Sequence, residues 1–141
     1  MSDQTIILTW PDHTELTLLV ESWRYRSTTT LDGPAFERLA GELAHAKLVA
    51  SGDIPANVVT MNTKFRARDL DTNEELTLTL SWPDEADADR GCINVLAPLG
   101  MALLGCRVGQ AVDWQVPGGY RRLQVEAVLF QPEHDVPLAA C

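Results

Sequence analysis

Apolar residues recur along the chain with two different periods, and the change from one to the other near residue 50 divides it. Leu16, Leu19 and Trp23 fall three and four residues apart, the spacing that gathers side chains on one face of a helix. Pro11 and Asp12 precede them as a start signal, and Glu15, three residues after Asp12, gives a capping-box spacing with Asp in the Ser/Thr position. A short strand is predicted ahead of this helix, over residues 5–9. Ser27, Thr28, Thr29 and Thr30 break the pattern, and Asp32, Gly33 and Pro34 open a second helix. There Phe36, Leu39, Leu43, Ala46 and Ala50 alternate at three and four, the rhythm that seats one helix against another. Two such stripes joined by a short loop predict an antiparallel helical hairpin. Its first helix is expected to be only about 17 Å long, at about 1.5 Å per residue.

Beyond the break at Ser51, Gly52, Asp53, Ile54 and Pro55, the period falls to two. Residues 58–61 and 64–68 alternate as a strand, and Asp71, Thr72, Asn73 and Glu74 make a turn. Leu76, Leu78 and Leu80 then face one way and Thr77, Thr79 and Ser81 the other, a half-buried hairpin strand. An acidic stretch, Asp84, Glu85, Asp87 and Asp89, reads as a solvated loop. A third strand follows at residues 93–96, a short helix at 98–104 stopped by Gly105, a strand at 111–116, a tight turn at Pro117, Gly118 and Gly119, and a closing strand at 123–130. The expected class is α+β: a short N-terminal antiparallel helical hairpin over residues 1–54, then a twisted antiparallel sheet with one short helix over residues 55–141.

At 141 residues and 45% hydrophobic content, the chain is long enough to bury a core without staples. Twenty acidic against eleven basic side chains leave a net charge of −9. That is the wrong sign for neutralising phosphates, so nucleic-acid binding is disfavoured. The excess is spread over both halves, and no basic segment hides behind the total. Cys92, Cys106 and Cys141 are odd in number and widely spaced, which suits free thiols in a reducing cytoplasm. The first ten residues carry no Lys or Arg and no long apolar run, so neither a targeting segment nor a membrane span is expected.

The chemical motifs are mostly absent. The sequence has no phosphate-cradling glycine loop, no nucleophile elbow and no H-E-x-x-H. His13, His45 and His134 fall in different elements, and His45 reads as a solvent-facing helical residue. The acidic stretch lacks the glycine and distal carboxylate of a calcium loop. Cys106, in an apolar run, reads as a small buried hydrophobe. No catalytic residue, cofactor or metal ligand is therefore assigned. Trp23, Arg24, Tyr25 and Arg26 form the one compact aromatic and basic cluster, at the tip of the predicted hairpin, and residues of these types are enriched among interface anchors.

Residues 93–109, INVLAPLGMALLGCRVG, continued by Val116, Pro117, Gly118 and Gly119, resemble the carboxy-terminal domain of the GreA/GreB transcription elongation factors. Residues 55–63, PANVVTMNT, are similar to the P-x-x-V-V-T-M-N-S segment of the Rnk-type regulators of nucleoside diphosphate kinase, a branch of that superfamily. The resemblance implies an FKBP-like carboxy-terminal domain and RNA polymerase as partner, contacted at the rim of its secondary channel. The matching contact loop is Leu96, Ala97, Pro98 and Leu99, although Leu96 and Leu99 also suit core positions. In the Gre factors, transcript cleavage depends on two acids at the tip of a long coiled coil. This tip instead carries Trp23, Arg24, Tyr25 and Arg26, then Ser27 and three threonines, with Glu21 before and Asp32 after. The expectation is a cytoplasmic, monomeric, non-enzymatic regulator that occupies the polymerase entrance and competes with the Gre factors without stimulating cleavage. An FKBP-like shape also raises prolyl isomerase activity, which needs a deep aromatic-lined pocket from a chain with 6% aromatic residues. A generic protein-interaction module is the third reading.

Overall fold

A computed structural model describes residues 6–26, 33–116 and 118–132, with side chains for all of these except 23–26, 33–36, 88 and 114–116. The chain divides into two compact units, one ending at Ile54 and the other beginning at Pro55. No helix among the described residues is long and apolar enough to cross a membrane.

The first unit contains β1 (Ile7–Thr9), α1 (Trp10–Arg26), α2 (Gly33–Ala44) and β2 (Lys47–Val49). Helix α1 starts two residues earlier than Asp12, because Thr9 is the capping side chain: its Oγ1 accepts the Asp12 N–H at 3.3 Å. With 17 residues, α1 is about 25 Å long rather than the expected 17 Å. Its buried positions are Leu16 and Val20, four apart, while Leu19 is half-buried and Leu18 is exposed.

Helix α2 ends sooner than its apolar stripe suggested. Ala46 and Ala50 fit the helical period, yet β2 lies between them and pairs in parallel with β1, Leu8 opposite Leu48. The distant strand therefore outcompetes the local pattern. The last turn tightens as it stops, with the Ala46 N–H donating to Leu43 O. The imidazole of His13, at the start of α1, meets Leu43 O at 2.8 Å and so places the beginning of α1 beside the end of α2. His45 sits just past α2, exposed, with Nδ1 3.0 Å from Gly41 O.

The second unit is a five-stranded sheet in the order β5–β4–β3–β7–β6 with one short helix, α3 (Pro98–Leu103). Strands β3 (Lys64–Asp69), β4 (Glu75–Ser81), β6 (Ala111–Val116) and β7 (Gly119–Phe130) pair antiparallel. The expectation of a wholly antiparallel sheet fails at one edge, where β5 (Cys92–Asn94) runs parallel to β4. Two register shifts between β3 and β7 add residues on one side of the ladder and curl the sheet. Leu76 and Leu78 are half-buried against exposed Glu75 and Thr77, as period two requires. From Thr79 to Ser81 every residue is buried, and along this stretch β5 pairs with the edge of β4. The acidic stretch forms two short 3-10 turns, Pro83–Glu85 and Ala88–Arg90. Cys106 is free and buried, and burial pushes its thiol up to about 11, so it is a packing residue rather than a nucleophile. Cys92 departs from the expectation of free thiols: it is disulfide-bonded.

Phe65, Ala67 and Asp69 point inward along β3, so the alternation carries a carboxylate into the interior, opposite fully buried Leu123 on β7. A buried charge must be matched. The Oδ1 of Asp69 accepts the N–H groups of Asp71 and Thr72, and Oδ2 pairs with Arg121. The Arg121 guanidinium, helped by the two backbone donors, outweighs desolvation and holds this carboxyl below the usual aspartate range. With its folded-state pKa depressed, the ionised group stabilises the fold fully above the unfolded pKa of about 4 and loses that contribution as pH falls through the lower folded value. Asp69→Asn is expected to be less stable than wild type at pH 7, with the gap narrowing below about pH 4. Urea unfolding at both pH values measures this, and a gap of constant size would refute it.

At the far end of β7, buried Gln131 closes the unit: its Nε2 donates to Pro55 O at 2.8 Å and to Val58 O at 2.9 Å. Gln131→Leu removes both bonds from carbonyls that β7 no longer covers. The expected loss is about 1–3 kcal/mol of unfolding free energy, read from the urea midpoint at unchanged slope.

Candidate docking surface

Strand β5 delivers the chain to a tight loop before α3. The loop begins at fully buried Val95, whose N–H donates to Ser81 O at 3.0 Å. The Leu96 N–H then donates to Asn94 Oδ1 at 2.8 Å, and the Ala97 N–H to Asn94 O at 2.9 Å. Three consecutive amides are thus held from behind the loop. Ala97 is extended (φ −71°, ψ 154°), and Pro98 occupies the first turn of α3, where its fixed φ suits a helix and its missing N–H costs nothing. Pro98 is exposed, while Leu96, Ala97 and Leu99 are half-buried. Neither leucine is a full core residue, because Val95, Met101 and Leu103 take those places.

The exit of α3 is fixed as firmly as its entry. Gly105, in the left-handed region at φ 81°, donates its N–H to Val59 O at 2.8 Å, and the Val59 N–H returns to Cys106 O at 2.8 Å. Val59 belongs to a buried corner in which Thr60 and Thr63 bring their hydroxyls within 2.9 Å of each other. At Asn62, φ of 65° turns the chain so that its N–H reaches Leu80 O. The Val58–Thr63 segment therefore braces α3, which gives a physical reason for its residues. From Gly91 to Cys106 no residue is charged, so the loop and α3 offer an apolar surface with no ionic component.

Trp23, Arg24, Tyr25 and Arg26 form the last turn of α1, with side chains outside the described set. They lie in the first unit, on a different element from residues 96–99. Sequence reasoning did not single out Asn94 or Gly100. An Asn two residues before an apolar loop residue is the pattern of a side chain that accepts its i+2 amide, and that signal was there to be read.

The outer face of the sheet is charged. Arg68 Nε lies 2.8 Å from Glu126 Oε2, and Arg66 and Arg68 both lie within 3.6 Å of Glu75. Arg68, then Arg66, holds the Glu126 carboxyl below its usual range. These pairs are solvent-accessible and add little stability. A depression beside them is lined by these side chains with Val108, Gly109 and Gln124, and has no aromatic wall. Phe65 is fully buried in the core and Tyr120 is exposed, so neither lines it.

Residues 54–130 match the family model described as transcription elongation factor, GreA/GreB, C-term. The regulator of nucleoside diphosphate kinase of Escherichia coli (strain K12) is 34% identical over 134 residues, covering 94% of this chain and 95% of that protein. Transcription elongation factor GreA of Thermodesulfovibrio yellowstonii is 34% identical over 95 residues, covering 67% of this chain and 60% of that one. Among solved structures, a prokaryotic transcription elongation factor GreA/GreB from Nitrosomonas europaea superposes with a TM-score of 0.75 at 34% identity, over 89% of this chain and 99% of that one. The agreement in sequence extends over 94% of the chain, and the agreement in fold over 89% of it. The chain belongs to the GreA/GreB transcription elongation factor family, together with the regulators of nucleoside diphosphate kinase.

Proposed function

We propose that this protein is a non-catalytic regulator that binds RNA polymerase at the rim of its secondary channel and competes there with Gre factors. Residues 55–141 act as the docking domain, FKBP-like in outline, and residues 1–54 as a truncated helical hairpin. The supporting observation is the uncharged loop of Leu96, Ala97, Pro98 and Leu99. It is held by hydrogen bonds at both ends of α3, from main chain and from the Asn94 side chain, so docking orders few groups and loses little entropy. A cytoplasmic monomer is the form in which it acts, with no nucleic-acid contact needed at a net charge of −9.

Stimulation of transcript cleavage is not part of this reading. Helix α1 is about 25 Å long, and the residues after it, Ser27 to Leu31, contain no carboxylate to share a metal ion. Purified protein is expected to bind core polymerase at micromolar concentration and to be displaced by GreA or GreB. Stalled complexes given this protein are expected to release no short 3′ fragments above the buffer control. Absence of binding would sink the proposal, and cleavage would refute its non-catalytic half.

A further inference from the structure

We propose that Asn94 is a positioning residue for docking: it sets the shape of the 96–99 loop without itself meeting the partner. The role rests on the reading of that loop as the polymerase contact. Asn94 ends β5, where it pairs with Ser81, and is half-buried behind the loop. It supplies two of the three acceptors that hold the loop amides: Oδ1 for Leu96 and the main-chain carbonyl for Ala97. The main-chain bond survives any substitution, so the side chain alone decides whether the Leu96 N–H is held. Losing that acceptor frees the peptide before Leu96 to turn toward water and lets the Leu96 side chain leave its half-buried position. The complex then has to order the loop on binding, which a preorganised loop avoids.

Asn94→Ala and Asn94→Ser test this with two readouts, amide hydrogen exchange at Leu96 and dissociation from core polymerase. Alanine removes the acceptor, whereas serine keeps a shorter one without adding charge. For Asn94→Ala, Leu96 is expected to exchange about tenfold faster and the polymerase affinity to fall about three- to tenfold, mainly through faster dissociation, as the loss of one hydrogen bond predicts. Asn94→Ser is expected to recover most of both effects. Wild-type protein that fails to bind polymerase overturns the proposed function and this role with it. Wild type that binds, with Asn94→Ala binding equally well or exchanging no faster at Leu96, overturns the role alone. Serine and alanine behaving alike would show that the lost acceptor is not the cause.

Discussion

Gly100→Ala is expected to lower the unfolding free energy by about 3 kcal/mol, the upper end of the range for overpacked sites. A Cβ on Gly100 would collide with Asn94 O and stand 2.8 Å from Val95 Cα. Both obstacles are main chain, so no side chain can rotate away. Helix α3 or the end of β5 has to move, and either movement strains the loop between them. Gly41 in α2 is the internal comparison, since nothing lies within 4 Å of a Cβ there. Gly41→Ala is expected to stabilise by about 0.5–1 kcal/mol through helix propensity alone. Urea unfolding of the two variants measures both, and a cost below about 1 kcal/mol at Gly100 would show that α3 is seated loosely.

Pro98→Asp is expected to weaken binding to core polymerase at least tenfold while leaving stability within about 0.5 kcal/mol of wild type. The stability is spared because Pro98 is exposed and stands in the first turn of α3, where an acidic side chain is well accepted. The affinity is not, because docking would strip water from a carboxylate on a surface with no charge of its own between Gly91 and Cys106. The same lack of charge predicts that wild-type affinity changes little between low and physiological salt, since there is no ionic contact on this loop to screen. A variant that binds like wild type removes residues 96–99 from the interface.

The strands were legible wherever one face met solvent. Leu76 and Leu78 against Glu75 and Thr77 gave β4 its clean period, and the Pro117, Gly118, Gly119 turn marked the β6–β7 hairpin. Legibility failed where a distant partner decided the outcome. Ala46 and Ala50 obeyed a helical rhythm, but residues 47–49 were claimed by a strand 40 positions away. Asp69 fell outside the strand expected over residues 64–68, and its inward carboxylate is explained only by Arg121 and two turn amides that the fold brings to it. At the docking loop, the proline and the uncharged run could be read directly. The need for glycine at position 100 could not, because it arises only once α3 lies across the end of β5.

The two hydrogen bonds from Gln131 have a consequence for how such chains diversify. They join the exit of β7 to the first residues of the second unit, so its last described strand leaves beside the point where the unit begins. A domain whose entry and exit coincide is a cassette: it can be excised, transplanted or joined to a helical segment of another length without opening its own core. Lengthening or shortening what precedes Pro55 is then expected to alter the attached arm and to leave the proposed docking face of the second unit intact.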